Sequence, residues 1–269
     1  MTDRGSLRLP AVALCIALAG CAGYPVCRDA RALGDGESRV SMAASLGMAG
    51  YTHQARNGDG RIVTDDRRAY GIGLGGGITA SLAHGLDVGV NATLIHSVGL
   101  TAQLELLETD HGLAAAVALE GNYGSLFTTS SLIDHDLPGG TGRQAGVALL
   151  VTQRFMQGLL TLCGKASDGW VNRRREDGDV ATWINGLGFR IYDFSVTFGI
   201  EPEGQRGTSY TTVFLTAGVR LLDPGSFTGV YETAGYGSWM GTNYARDHTA
   251  KAPIFVGLGA CQTFKGLGL

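Results

Sequence analysis

The sequence predicts an all-β fold: a closed, antiparallel up-and-down barrel of about twelve strands, with ten as the alternative, built to cross a membrane. Three observations predict it. Apolar residues recur at every second position from Arg39 onward, charged residues fall on the opposite phase, and the connections between alternating segments are short and long by turns. Composition agrees. Of 269 residues, 44% are hydrophobic, only 17% are charged, and 43 are glycine. So apolar a chain is not disordered, and so much glycine without a Gly-x-y period is neither collagen nor a mostly helical protein. A net charge of -3 leaves no basic footprint for nucleic acid.

The first twenty residues are a targeting segment. Arg4 and Arg8 precede an apolar run from Leu9 to Ala19. A basic start followed by a short apolar stretch is the layout of a secretory signal, too short to span about 30 Å of hydrocarbon as a helix. The run ends in Leu18-Ala19-Gly20-Cys21, which resembles the lipobox of bacterial lipoproteins. That resemblance implies cleavage before Cys21, a diacylglycerol on its thiol and an acyl group on the new amine. Residues 1–20 then form the signal, 21–38 a lipidated leader rich in Gly, Ala and Arg that is placed to cross the periplasmic mouth, 39–264 the barrel, and 265–269 a tail. Several acyl chains anchor a protein stably without a transmembrane helix. No cofactor is expected beyond the acyl chains on Cys21.

The mature chain alternates. Val40, Met42, Ala44, Leu46 and Met48 share one phase, as do Ile72, Leu74, Ile78, Ala80 and Leu82. The rhythm continues at Val88–Leu94, Val98–Leu106, Leu113–Leu119, Ala145–Val151 and Leu160–Leu162. It resumes at Ala181–Ile191, Phe194–Ile200, Val213–Val219 and Ile254–Ala260, with a less regular segment at Phe227–Tyr236. Arg39, Asp87, Glu105, Glu120, Lys165, Arg190 and Arg220 fall on the opposite phase. A basic side chain facing lipid near the midplane costs about 2–4 kcal/mol, so this segregation is what a bilayer demands.

Counted from the first strand, the even connections are short: near 83–86, 107–111, 154–157, 192–193 and 222–226. The odd ones (52–66, 95–97, 125–142, 167–178, 201–208, 237–252) are mostly longer. Two short turns share His-Gly-Leu, at His84-Gly85-Leu86 and His111-Gly112-Leu113, where glycine supplies the positive φ of a tight hairpin. Residues 39–264 thus resemble the bacterial outer-membrane β-barrel class. The resemblance implies short periplasmic turns, long outer loops, and a lipid anchor on the periplasmic side. Its partners would be outer-membrane lipids and lipopolysaccharide, with the lipoprotein-sorting and barrel-insertion machineries. Phe264 shares phase with the last stripe, although five residues follow it. The alternative architecture is a water-soluble sandwich or lipocalin-like barrel. Against it, the phase opposite the stripe is Gly, Ala, Ser and Thr, where a soluble sandwich would carry Lys and Glu.

Glu105, Glu120, Lys165, Arg190 and Arg220 are the candidate lumen-lining residues. They serve either as a selectivity lining or as ion pairs within a closed barrel. Gly71–Gly77 superficially matches a dinucleotide fingerprint, but alternation runs straight through it, so it reads as a glycine-lined strand face. His96-Ser97 are neighbours on one strand and point to opposite faces, so His96 is badly placed to activate Ser97. Asp134-His135-Asp136 and Asn57-Gly58-Asp59-Gly60 carry metal-donor residue types, but read first as polar loops, and no metal site is assigned. Asn172–Asp179 is a mixed-charge loop whose arginines suit lipopolysaccharide phosphates. The mature cysteines are Cys21, Cys27, Cys163 and Cys261; Cys27 and Cys261 form a possible disulfide. No catalytic residue is assigned. The leading functional expectation is a channel for small hydrophilic solutes or a closed barrel presenting surface loops. The alternatives are a lipid or lipopolysaccharide esterase, and a barrel partner of a polysaccharide or appendage export system.

Overall fold

The computed structural model describes residues 28–56, 62–93, 97–126, 140–177, 180–201, 209–233 and 251–265. Ten strands are present: β1 Glu37–Arg56, β2 Ile62–Ala83, β3 Leu86–Thr93, β4 Ser97–Glu108, β5 Leu113–Leu126, β6 Gly140–Phe155, β7 Gly158–Asp177, β8 Val180–Ile200, β9 Ser209–Thr233 and β10 Lys251–Lys265. Each pairs with its sequence neighbours, and β1 pairs with β10 to close the barrel. The seam runs antiparallel from Glu37 opposite Lys265 to Met48 opposite Ile254. Closure removes every strand edge, so each ladder is satisfied within the chain.

The strand count is ten, the alternative given above, and the correction has a definite cause. Two expected turns are strand interior. Tyr192 pairs with Leu221 and Asp193 with Arg220, so β8 runs through 192–193 without turning. The alternation changes phase upstream of there, where the ladder shifts register between Asn185 and Gly188, with a second shift between Gly188 and Arg190. A bulge breaks two-residue alternation just as a turn does. Asp223-Pro224-Gly225-Ser226 has turn composition, yet it fills the second of those irregularities within β9. Removing two turns also reassigns 201–208, expected on the outer side, to the end that carries both barrel termini. The expected loop 167–178 shrinks in the same way, because Asn172–Asp177 belong to β7.

The remaining stripes face outward. Leu100, Leu119, Leu149, Leu162, Phe194, Leu215 and Leu258, from seven different strands, are between 51% and 65% exposed. Water-soluble proteins hide such residues, and a belt this continuous far exceeds the patches they show. The inner face carries Thr152, Thr161, Thr197, Thr212, Thr216 and Thr263, all buried. Hydroxyls pair across strands at 2.8 Å between Thr152 and Thr161 and between Thr197 and Thr216. Ile191, expected on an outward stripe, is buried on the inner face.

Glycine acts where the wall needs it. Gly85 and Gly112 of the two His-Gly-Leu turns have φ of 74° and 79°. Gly218 makes room for a ring: a Cβ there would stand 2.4 Å from the Phe194 carbonyl oxygen and 2.5 Å from Phe255 Cζ. Gly218→Ala is therefore expected to destabilise the barrel by about 1–3 kcal/mol. Unfolding of the detergent-refolded protein measures this, and a neutral result would mean the wall yields there.

Candidate functional site

The interior is occupied by the chain itself. Arg28–Gly36 forms an irregular strap inside the barrel, at the end where β1 starts and β10 finishes. The strap has no ladder of its own, so its backbone must be satisfied by the wall. The Ala30 N–H donates to Thr152 Oγ1 at 2.8 Å, the Ala32 N–H to Glu105 Oε2 at 2.7 Å, and the Leu33 N–H to Asp87 Oδ2 at 2.9 Å. Gln103 Nε2 donates to the Asp29 carbonyl at 2.9 Å. A buried donor left without its acceptor costs about 1–3 kcal/mol, so these wall residues hold the strap in one register. Small residues let it lie close: Ala30 packs with Ala114, Ala116, Ala118, Ala148, Leu150 and Cys163 in one buried cluster. Gly36, with φ 71°, turns the chain into β1.

Ion pairs hold the strap at two points, Arg28 and Arg31. At its N-terminal end Arg28 pairs with Glu120 of β5, whose other oxygen lies 2.7 Å from Lys165 Nζ of β7. Glu120 and Lys165 are on strands separated by β6, and Gly146 of β6 leaves the space between them. A Cβ on Gly146 would stand 3.3 Å from Lys165 Cε and 2.7 Å from Ser167 Cβ. Nearer the barrel end, Arg31 Nη2 lies 2.7 Å from both Asp29 Oδ2 and Glu201 Oε1, and Arg154 Nη2 lies 3.4 Å from Glu201 Oε2. Burial alone would raise the Asp29 carboxyl, but the Arg31 guanidinium overrides it and holds Asp29 below the usual carboxylate range.

That direction fixes a pH dependence. A carboxylate with a depressed folded-state pKa contributes stability above its unfolded value, near 4, and loses it as pH falls through the lower folded value. The strap is therefore expected to resist proteolysis at neutral pH and to loosen only below about pH 4. Limited proteolysis against pH measures this. Release between pH 6 and 5 would show that Asp29 does not control the dock.

Of the lumen-lining candidates, Glu105, Glu120 and Lys165 all face inward around the strap. Arg220 also faces inward and binds Asp193 of the neighbouring strand through two hydrogen bonds of 2.6 and 2.8 Å. Arg190 is corrected. With β8 continuous, it shares the outward phase of Phe194 and Val196, and it pairs with Asp168 at 2.6 and 2.9 Å while both stay half exposed. The pair lies ten residues along β7 and β8 from Gly158 and Ile200, beyond the apolar belt. Cys261 is a free buried thiol; Cys21, Cys27, His96, Asn57–Gly60 and Asp134–Asp136 lie outside the described residues. Asp29, Gln103, Thr152, Asp193 and Glu201 were not among the candidates. Asp29 and Arg31 were signalled only by alternating charge in a leader, and Thr152 by nothing local.

No protein-family model and no curated protein sequence matches the chain. Among solved structures, it is similar to the outer membrane protease OmpT from Escherichia coli, at 10% identity and a TM-score of 0.45, over 85% of this chain and 95% of that one. The translocator domain of the autotransporter NalP from Neisseria meningitidis gives 14% identity and a TM-score of 0.39, over 98% of this chain and 95% of that one. Likeness at this level carries no argument about activity.

Proposed function

We propose that this chain is a lipid-anchored outer-membrane β-barrel, closed by its own N-terminal segment, which presents its connections at the cell surface and is not an open channel. The observation that carries the closed state is the strap Arg28–Gly36, whose Arg28, Asp29 and Arg31 are consumed by ion pairs with the wall or within the strap. The same wall charges that suit a selectivity lining, Glu105, Glu120 and Lys165, are spent on holding the strap.

The apolar belt supports the membrane location. From Ile200 to Arg190 a tilted strand rises about 25 Å, the height of the lipid-facing band of such barrels. Lipid would cover that belt, and barrel-insertion machinery would place it. The short connections 84–85, 109–112 and 156–157 share the end with the termini and would face the periplasm. Acyl chains on Cys21 would add an anchor. Planar-bilayer recording tests the reading. The purified protein should give no conductance steps at neutral pH, and reproducible ohmic steps from the wild-type chain would overturn the closed state.

A further inference from the structure

Each carboxylate that takes a strap arginine also holds a cation of the wall. Glu120 pairs with Arg28 of the strap and with Lys165 of β7. Glu201 pairs with Arg31 of the strap and with Arg154 of β6. Asp29 is matched inside the strap, where it accepts from the backbone N–H, Nε and Nη2 of Arg31. Lifting the strap away therefore leaves Glu120 with Lys165 and Glu201 with Arg154, while Asp29 departs with Arg31. Arg28 alone gives up its partner, and it sits on the segment that moves into water. Breaking a buried ion pair is costly because it strands the charge left behind. None of these four wall charges is stranded. The docked state is the unbalanced one, since two cations share the buried Glu120 until Arg28 goes. A segment fixed for good would need no second cation at each anchor.

The groove that the strap fills reads mainly backbone. Asp87, Glu105 and Thr152 accept strap N–H groups and Gln103 donates to a strap carbonyl, contacts that many extended chains could make. Selectivity comes from size and charge. Ala30 packs against Ala114, Ala116, Ala118 and Ala148, none more than 1% exposed, so the groove takes a small residue there. Once vacated, the wall around the strap carries four carboxylates, Asp87, Glu105, Glu120 and Glu201, against three cations, Lys165, Arg154 and Arg39. That net -1 complements the +1 of Arg28, Asp29 and Arg31 together. The strap leaves one group unused. Asp87 is 3% exposed, and its Oδ1 has no hydrogen-bond partner among the described residues, although Oδ2 takes the Leu33 N–H. A buried carboxylate oxygen without a donor favours an occupant that brings one.

We infer that this end of the lumen is a binding site for an extended basic peptide, and that the strap is its detachable resident. The ligand class is a chain segment with two guanidinium groups three residues apart, as at Arg28 and Arg31, a small residue between them, and a side-chain donor beside the position of Leu33. Its source is a protein in the periplasm, because the strap enters β1 at the end that carries both barrel termini. The inference rests on the closed-barrel reading above.

Arg28→Gln combined with Arg31→Gln in the full-length chain tests it in detergent micelles, with a fluorescent peptide of the sequence Arg28–Gly36 as the probe. The variant should stay heat-modifiable on gels, lose far less unfolding stability than Glu120→Ala, and expose its strap to a broad-specificity protease. The peptide should bind this variant saturably and the wild type about tenfold more weakly or worse, because the resident strap occupies the wild-type groove. Changing both peptide arginines to glutamine, or methylating the backbone nitrogens at the positions of Ala30, Ala32 and Leu33, should each weaken binding by about tenfold or more. Ala30→Trp expels the strap by size alone and is the second variant. If the strap becomes protease-sensitive but neither variant binds the peptide, the inference is overturned and the closed barrel stands. If neither variant folds, or the strap stays protected in both, the strap is not detachable and the inference is overturned as well. Ohmic steps from the wild type are a different outcome, which removes the closed-barrel reading and this inference with it.

Discussion

Glu120→Ala is expected to release the strap and to destabilise the barrel by about 3–5 kcal/mol, because it removes the carboxylate that the partly buried Arg28 and the buried Lys165 share. Arg28 and Lys165 share Glu120, which is 8% exposed, so the pair would be left facing each other in a low-dielectric interior. The two cations escape differently. Arg28 is on the strap and leaves by undocking, whereas Lys165 is fixed in β7. The strap should therefore come free before the barrel unfolds, and trypsin should cut at Arg28 and Arg31 in the variant but not in the wild type. Glu120→Gln keeps the volume and loses the charge, so it should fall between. Combining Glu120→Ala with Lys165→Met removes both members of the wall pair and should restore most of the barrel's stability without redocking the strap. Denaturation of the detergent-folded protein, with proteolysis in parallel, measures both effects. A Glu120→Ala protein as stable and as protease-resistant as wild type would mean the ion triad does not hold the strap.

The second large effect tests the outer surface. Leu215 is 58% exposed and stands between Leu258 and Phe198 on the neighbouring strands, near the middle of the belt. Leu215→Arg should lower folding stability in lipid vesicles by about 2–4 kcal/mol, since a guanidinium at that depth loses its hydration. The same change on a face that meets water would be worth no more than about 0.5 kcal/mol in either direction. Refolding into vesicles separates the two directly. A neutral Leu215→Arg that is also soluble without detergent would remove the bilayer from this account.

Between them the two variants probe the two faces of the same strands, and the faces were not equally legible. Outward residues obey a rule that involves only spacing. Leu100, Leu149 and Leu258 needed no partner to be placed, because alternation is a property of one strand and hydrocarbon is indifferent to which apolar side chain it meets. The His-Gly-Leu turns were legible for a similar reason: a positive φ is a local demand, and glycine answers it locally.

What resisted reading was non-local. Arg190 moved from lumen to surface because a bulge shifts phase in the way a turn does, and only the opposing strand distinguishes them: Asn185 pairs with Val230 and Gly188 with Thr228, three steps of β8 against two of β9. The inner face was harder still. Glu120 meets Arg28 from the far side of the sequence, and Ala30 donates to a threonine 122 residues away. The amino-acid sequence by itself determined an all-β chain with one greasy face, tight glycine turns at one end, and charges kept off that face. Only the tertiary structure decided that there are ten strands, and that the leader fills the lumen. The physical reason is that period reports which solvent a side chain prefers, whereas closure and plugging depend on which distant groups satisfy a buried charge or a buried N–H.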